Sequence, residues 1–115
     1  MRIGLDGRGL CNVNRTRGIG RYTARLLEAL VSLAGDDHDL VLFGTLEEPP
    51  ADLLSRRALE RLEWRAMRLD GCAAAGPLGR YLAMAREIDR SRLDLFHAID
   101  HDMTPFLRTP SLVTV

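Results

Sequence analysis

The polar and apolar positions alternate between two periods along the chain, and the changes of period predict its elements. Arg2-Ile3-Gly4-Leu5-Asp6 reads as a short strand broken by Gly7 and Gly9, after which a loop runs to about Thr16. From Gly18 onward, Tyr22, Leu26, Ala29, Leu30 and Leu33 recur at spacings of three and four, which predicts a helix with these residues on one face and Gly35 as its stop. Within His38 to Gly44 lies an unbroken apolar run, Leu40 to Phe43, bounded by Asp39 and Gly44, the pattern of a strand buried on both faces. A weaker helical pattern passes through Leu53, Leu54, Leu59 and Leu62, and "EWRAMRLDG" follows as a third strand. A second clear helix opens at Pro77, with Leu78, Tyr81, Leu82, Ala85 and Ile88 on one side and Arg80, Arg86, Glu87 and Arg90 mostly on the other. "LDLFHA" and "SLVTV" complete the pattern as two more strands, separated by a polar loop with Pro105 and Pro110.

Strands alternating with helices at this spacing imply βαβ units, hence a mainly parallel sheet covered on both faces: a Rossmann-like, three-layer α/β domain spanning residues 1–115. There is no internal repeat and no low-complexity tract. At 115 residues the chain is one domain at most, short for a complete two-substrate enzyme, and it stops at Val115 in an apolar strand. The expectation is a fragment cut just before a functional loop. No apolar run approaches the roughly 18 residues of a membrane span, and the start enters a strand pattern at once, so a cytoplasmic protein is expected.

Basic and acidic residues number 16 each, which leaves no global basic field for nucleic acid. All the basic residues are arginine, a choice that either favours anion contacts or reflects a bias of composition. Cys11 and Cys72 lie far apart, with no matching histidine spacing, and read as free thiols rather than zinc ligands.

Two constellations carry candidate chemistry. Gly18-Ile19-Gly20 sits where a loop enters a helix, so its backbone amides and the positive end of the helix dipole form an anion site in principle. Arg15, Arg17 and Arg21 flank it and suit phosphate oxygens. The alternative is that the glycines merely permit tight packing of helix on sheet. The dinucleotide fingerprint is incomplete, because Arg21-Tyr22-Thr23 supplies no third glycine, and this weighs against a nicotinamide-dependent oxidoreductase. In "FHAIDHDMTP", His97, Asp100, His101 and Asp102 cluster just after a strand, at the sheet edge where α/β folds place their chemistry. Histidine beside carboxylate suits proton transfer or the binding of sugar hydroxyls, while His97 packed in the core and Asp100 capping a turn is the structural alternative. Asp6 and Arg8 would point into the same crevice or form a local ion pair.

Together, "RIGLDGRGL", "RGIGRYTARLLEAL" and "DLFHAIDHDMTP" leading to "PSLVTV" resemble the N-terminal domain of GT-B, retaining glycosyltransferases of family 4, in its bacterial mannosyl- and glucosyltransferase-like branch. The resemblance spans nearly the whole chain. It departs at Arg17, where a small or hydroxylated residue often precedes the glycine pair, and the family's last strand runs into a His-Asp pair that this chain does not contain. What the resemblance implies is transfer of a sugar from a nucleotide-sugar donor to a glycan, lipid or small-molecule acceptor. A C-terminal domain would hold most of the donor, and no metal or other cofactor is expected. It further implies catalytic or cleft-facing roles for His97, Asp100 and His101, and a donor-diphosphate loop at Gly18, Ile19, Gly20 and Arg21. Asp6 and Arg8 would line the cleft. A lipid acceptor would place the enzyme at the inner face of the membrane, and the isolated domain is expected to be inactive and to dimerise through apolar surface. The competing class is a non-catalytic α/β ligand- or partner-binding module.

Overall fold

The computed structural model describes residues 1–69, 76–100 and 102–114. Five parallel strands form one sheet: β1 (Arg2–Asp6), β2 (Asp39–Gly44), β3 (Leu62–Ala66), β4 (Leu95–Ala98) and β5 (Ser111–Val113), in the order β3-β2-β1-β4-β5. The chain thus builds outward from β1 to β3 on one side, then returns to place β4 and β5 on the other. This is the Rossmann-like order, and it creates a topological switch point between β1 and β4.

Period-two alternation explains why β2 is apolar and buried after its exposed first residue, Asp39. Leu40 and Leu42 join the cluster with Leu5, Leu10, Leu27, Val31 and Ala58, whereas Val41 and Phe43 join the opposite cluster with Met84, Ile88 and Phe96. The first cluster lies beneath helices α1 (Gly18–Ala34) and α2 (Arg56–Arg61), the second beneath α3 (Gly76–Arg90). Phe43 and Phe96 meet edge to face, their centroids 5.9 Å apart. Helix α1 ends as expected at Gly35, whose φ of +56° disfavours a side chain.

Three expectations about the elements change. The buried face of α1 is Gly20, Thr23, Leu27 and Val31, while Tyr22 and Leu33 of the predicted face stand 44% and 83% exposed. Thr23 tolerates burial because its hydroxyl donates to the carbonyl of Ile19 at 2.7 Å, within its own helix. On α3 the core side is Met84, Ala85 and Ile88, and Leu78 and Leu82 face solvent. The second helical pattern is shorter than predicted. Ser55 caps α2 by accepting from the Ala58 amide at 3.1 Å, and Leu62 already belongs to β3, whose pairing with Leu40 captures it. Leu54 lies buried ahead of the helix in the α1-side core.

Candidate functional site at the switch point

Where β1 and β4 diverge, the strand ends deliver polar side chains into a crevice of about 210 Å³. Asp6 is the last residue of β1 and is 4% exposed. Arg8 follows in a single 3-10 turn over Arg8–Leu10, and this turn folds its guanidinium back on Asp6. Its Nε lies 3.0 Å from Asp6 Oδ1, and one terminal nitrogen 2.9 Å from Oδ2. The Arg8 amide donates to Asp6 Oδ1 as well, at 3.0 Å. The other terminal nitrogen reaches Asp102 Oδ2 at 3.2 Å, and Arg8 also donates to the Asp102 carbonyl. Burial disfavours the Arg8 charge, but the two carboxylates outweigh that and hold its pKa above the ordinary guanidinium value. Tyr81 of α3 closes the chain of contacts: its hydroxyl donates to Asp102 Oδ1 at 2.5 Å, which raises the phenol pKa, and its carbonyl accepts from buried Thr104 at 2.7 Å. The crevice floor is therefore fixed before any ligand arrives.

Around this floor stand Asn12, Asn14, Thr45, Arg80 and Asp100, with Ile19 of α1 on the rim. Arg80 also lines two neighbouring cavities. One, of about 350 Å³, is walled by Leu69, Pro77, Tyr81 and Met84; the other, of about 290 Å³, opens above β2 and β3. Among the described residues Arg80 has no carboxylate partner, so its charge is available where the three spaces meet. The arrangement offers a guanidinium, amides and hydroxyls of both hydrogen-bonding senses, and carboxylate oxygens. That set suits a polyhydroxyl ligand carrying an anionic group.

The structure gathers only part of the sequence-predicted site. Asp6, Arg8 and Asp100 meet in the crevice. His97 is not among the residues lining it; its Nε2 lies 2.8 Å from Thr114 Oγ1, across the β4–β5 pair. Burial lowers the His97 pKa and the nearby Asp6 charge only partly restores it, so the ring is neutral at neutral pH. His101 lies outside the described residues, as does Cys72. The glycine segment divides. Ile19 reaches the crevice, whereas Gly18 and Arg21 border a separate groove on the outer side of α1 with Tyr22, Arg25 and Leu26. Gly20 faces neither space: a Cβ there would lie 2.1 Å from the carbonyl oxygen of Arg15 and 2.5 Å from that of Asn14. Its hydrogen therefore admits the chain's own turn, a contact with the preceding loop and not the helix-on-sheet packing the sequence suggested, while nothing lies within 4 Å of a Cβ at Gly18.

Sequence reasoning missed Arg80, assigned to an outward helix face, and the turn residues Asn12 and Asn14. The Asn-x-Asn spacing was the available signal, since the Asn12 side chain accepts from the Asn14 amide at 2.9 Å and fixes the turn that faces the crevice. Among the described residues no three His, Cys, Asp or Glu side chains are grouped to hold a metal ion, and no helix is long and apolar enough to cross a membrane.

No family model matches the chain, and no curated protein matches its sequence. Among solved structures, a crystal structure of UDP-galactose 4-epimerase is similar over 91% of this chain at 15% identity, with a TM-score of 0.43. The chain spans 42% of that protein's length. Strand order and register, independently of that comparison, make the chain a Rossmann-like α/β domain.

Proposed function

We propose that residues 1–115 form the acceptor-side domain of a GT-B, retaining glycosyltransferase that uses a nucleotide-sugar donor, with a second domain closing over the crevice to complete the donor site. The observation that supports this reading best is the preformed Asp6–Arg8–Asp102 floor at the switch point, beneath Asn12, Asn14, Thr45 and Asp100. A sugar ring presents hydroxyls that both donate and accept, and fixed carboxylate and amide groups orient such a ring without reorganising. Arg80 would take the anionic part of the ligand. Neutral His97 would act through Thr114 and the end of β4 rather than as a cation at the reacting centre. The first-turn amides of α1 have no side-chain cap, since Arg17 makes no capping bond. With Gly20 filled by the Asn14–Arg15 turn, a diphosphate would meet them from the Gly18–Ile19 side.

A second reading, a non-catalytic ligand-binding module of the same fold, gains from the division of the glycine segment between crevice and outer groove. Amide chemical shifts of the 115-residue chain, titrated in turn with uridine- and guanosine-diphosphate sugars and with NAD, test the transferase reading. Shifts confined to Asp6, Arg8, Asn12, Asn14 and Ile19 with a nucleotide sugar, weakened in Arg80→Gln, support it. A response of these amides to NAD alone overturns it.

A further inference from the structure

One face of α3 borders a space that the crevice floor only touches. Pro77, Arg80, Tyr81 and Met84 follow one another at three, one and three residues, so they share that face, and with Leu69 they wall the cavity of about 350 Å³. Met84 is 2% and Leu69 7% exposed, and both belong to the α3-side core. The cavity therefore opens on the core itself, against residues held in place by packing. Tyr81 packs against the same cluster, and because its hydroxyl is committed to Asp102, its ring is what it offers to the wall.

The polar side of the cavity is formed by Arg8, Arg80 and Asp102, and the same three residues line the crevice. The two spaces thus share an edge. Arg8 is neutralised there by Asp6 and Asp102, whereas exposed Arg80 has no carboxylate partner among the described residues. A ligand lying across the edge meets an unbalanced guanidinium at its middle, fixed hydrogen-bonding groups on one side and apolar walls on the other.

Size and wall chemistry select the apolar part of such a ligand. Pro77 to Met84 spans about 10 Å of helix, so a long alkyl chain would emerge into water. A cavity of about 150 Å³ already accommodates a benzene-sized group, which leaves room here for an anionic substituent. A guanidinium stacks on an aromatic face, a thioether favours the ring edge, and a second ring packs against it, so Arg80, Met84 and Tyr81 each gain from an aromatic ring what a saturated chain does not supply.

We propose that this cavity is a subsite for an aromatic ring bearing an anionic group, the ring between Leu69, Tyr81 and Met84 and the anion on Arg80. The inference rests on the proposed function for what the ligand does: there it names the acceptor class, a small molecule with hydroxyls toward Asn12, Asn14 and Asp100, an anionic group at the shared edge and an aromatic arm beside α3.

Side-chain chemical shifts of the 115-residue chain, titrated in turn with phenyl, cyclohexyl, methyl and dodecyl phosphate, test it. Phenyl phosphate should bind about tenfold more tightly than methyl phosphate and about threefold more tightly than cyclohexyl phosphate, with ring-current shifts at the Met84 methyl. Arg80→Gln, at an exposed position, should weaken phenyl phosphate about tenfold, and unchanged circular dichroism verifies its folding. Equal binding of phenyl and either methyl or cyclohexyl phosphate overturns the proposal, as does silence at Leu69, Tyr81 and Met84 or full retention by Arg80→Gln. Tighter binding of dodecyl phosphate also overturns it, in favour of an alkyl chain. None of these probes carries a sugar or a nucleotide, so the subsite can fail while the transferase reading stands, and that reading fails separately, on the titrations with nucleotide sugars and NAD.

Discussion

Replacing Gly20 by alanine separates a structural glycine from a ligand-binding one. Inside a helix the change normally stabilises by about 1 kcal/mol through the unfolded chain and helix propensity. Here the added Cβ would meet Arg15 O at 2.1 Å, Arg15 C at 2.4 Å and Asn14 O at 2.5 Å, all of them backbone atoms and all closer than a Cβ packs. The helix and the Asn14–Arg15 turn must separate by roughly 1 Å, which also strains the Arg15–Asp52 ion pair and the bond from the Arg17 amide to the Asn14 carbonyl. Overpacking of this kind costs about 3 kcal/mol at the upper end of its usual range, so the expected net loss is about 2 kcal/mol. Gly18→Ala is the internal control. Nothing lies within 4 Å of its Cβ, and a gain of about 0.5 kcal/mol is expected. Urea unfolding followed by circular dichroism, with the slope unchanged, measures both differences. If Gly20→Ala matches or exceeds the wild type in stability, Gly20 is not held by its own turn, and the glycine is again open to a ligand role.

Asp6→Ala removes one partner of a buried ion pair and leaves Arg8, 18% exposed, with Asp102 alone; a loss of about 3 kcal/mol is expected from urea unfolding, against under 1 kcal/mol for half-exposed Asp102→Ala. A larger loss at Asp102 would invert the ranking argued above. His97 has a folded-state pKa below 6.5, so the unfolded chain binds the proton more tightly, and stability present above pH 6.5 is lost as pH falls through the folded pKa. His97→Gln should flatten that decline, and a His97 pKa above 6.5 by NMR titration would refute the reasoning. Asp89→Ala should cost about 2 kcal/mol and loosen β5, since its carboxylate accepts from the Thr109 amide at 3.0 Å and the Thr109 hydroxyl at 2.7 Å; unchanged hydrogen exchange at Ser111–Val113 would count against that role.

The strand-helix alternation was legible because each period is enforced by the chain itself. Four apolar residues in a row, Leu40 to Phe43, can be buried only between two layers, and Gly35 can hardly do other than stop a helix. The face of α1 was not legible. Hydropathy favours Tyr22, Leu26, Ala29 and Leu33 over Gly20, Thr23, Leu27 and Val31, because periodicity counts apolarity and the buried stripe contains a glycine and a threonine. What decides between two adjacent stripes is which one fits close against the sheet and the turn before the helix. Small residues do, and hydropathy does not reward them. Likewise, the end of the second helical pattern was lost to β3 because pairing with β2 outweighs local propensity at Leu62.

The candidate site divides along the same line. Asp6, Arg8 and Asp100 were readable because a parallel sheet sends the residues after its strands to one edge, whatever their neighbours. Strand alternation also constrains His97. Phe96 and Ala98 point into the α3-side core, so His97 shares the face of its register partner Leu5, and a residue on that face reaches Thr114, the residue after β5. The glycine pair follows the same arithmetic on a helix. Two residues advance the side-chain direction by about 200°, so Gly18 and Gly20 cannot present their missing side chains to one ligand. One must face inward if the other faces out, and the close turn at Arg15 shows which. Any anion that uses this helix start therefore approaches over Gly18 and Ile19, with Gly20 serving it only by holding the turn that carries Asn14 to the crevice wall.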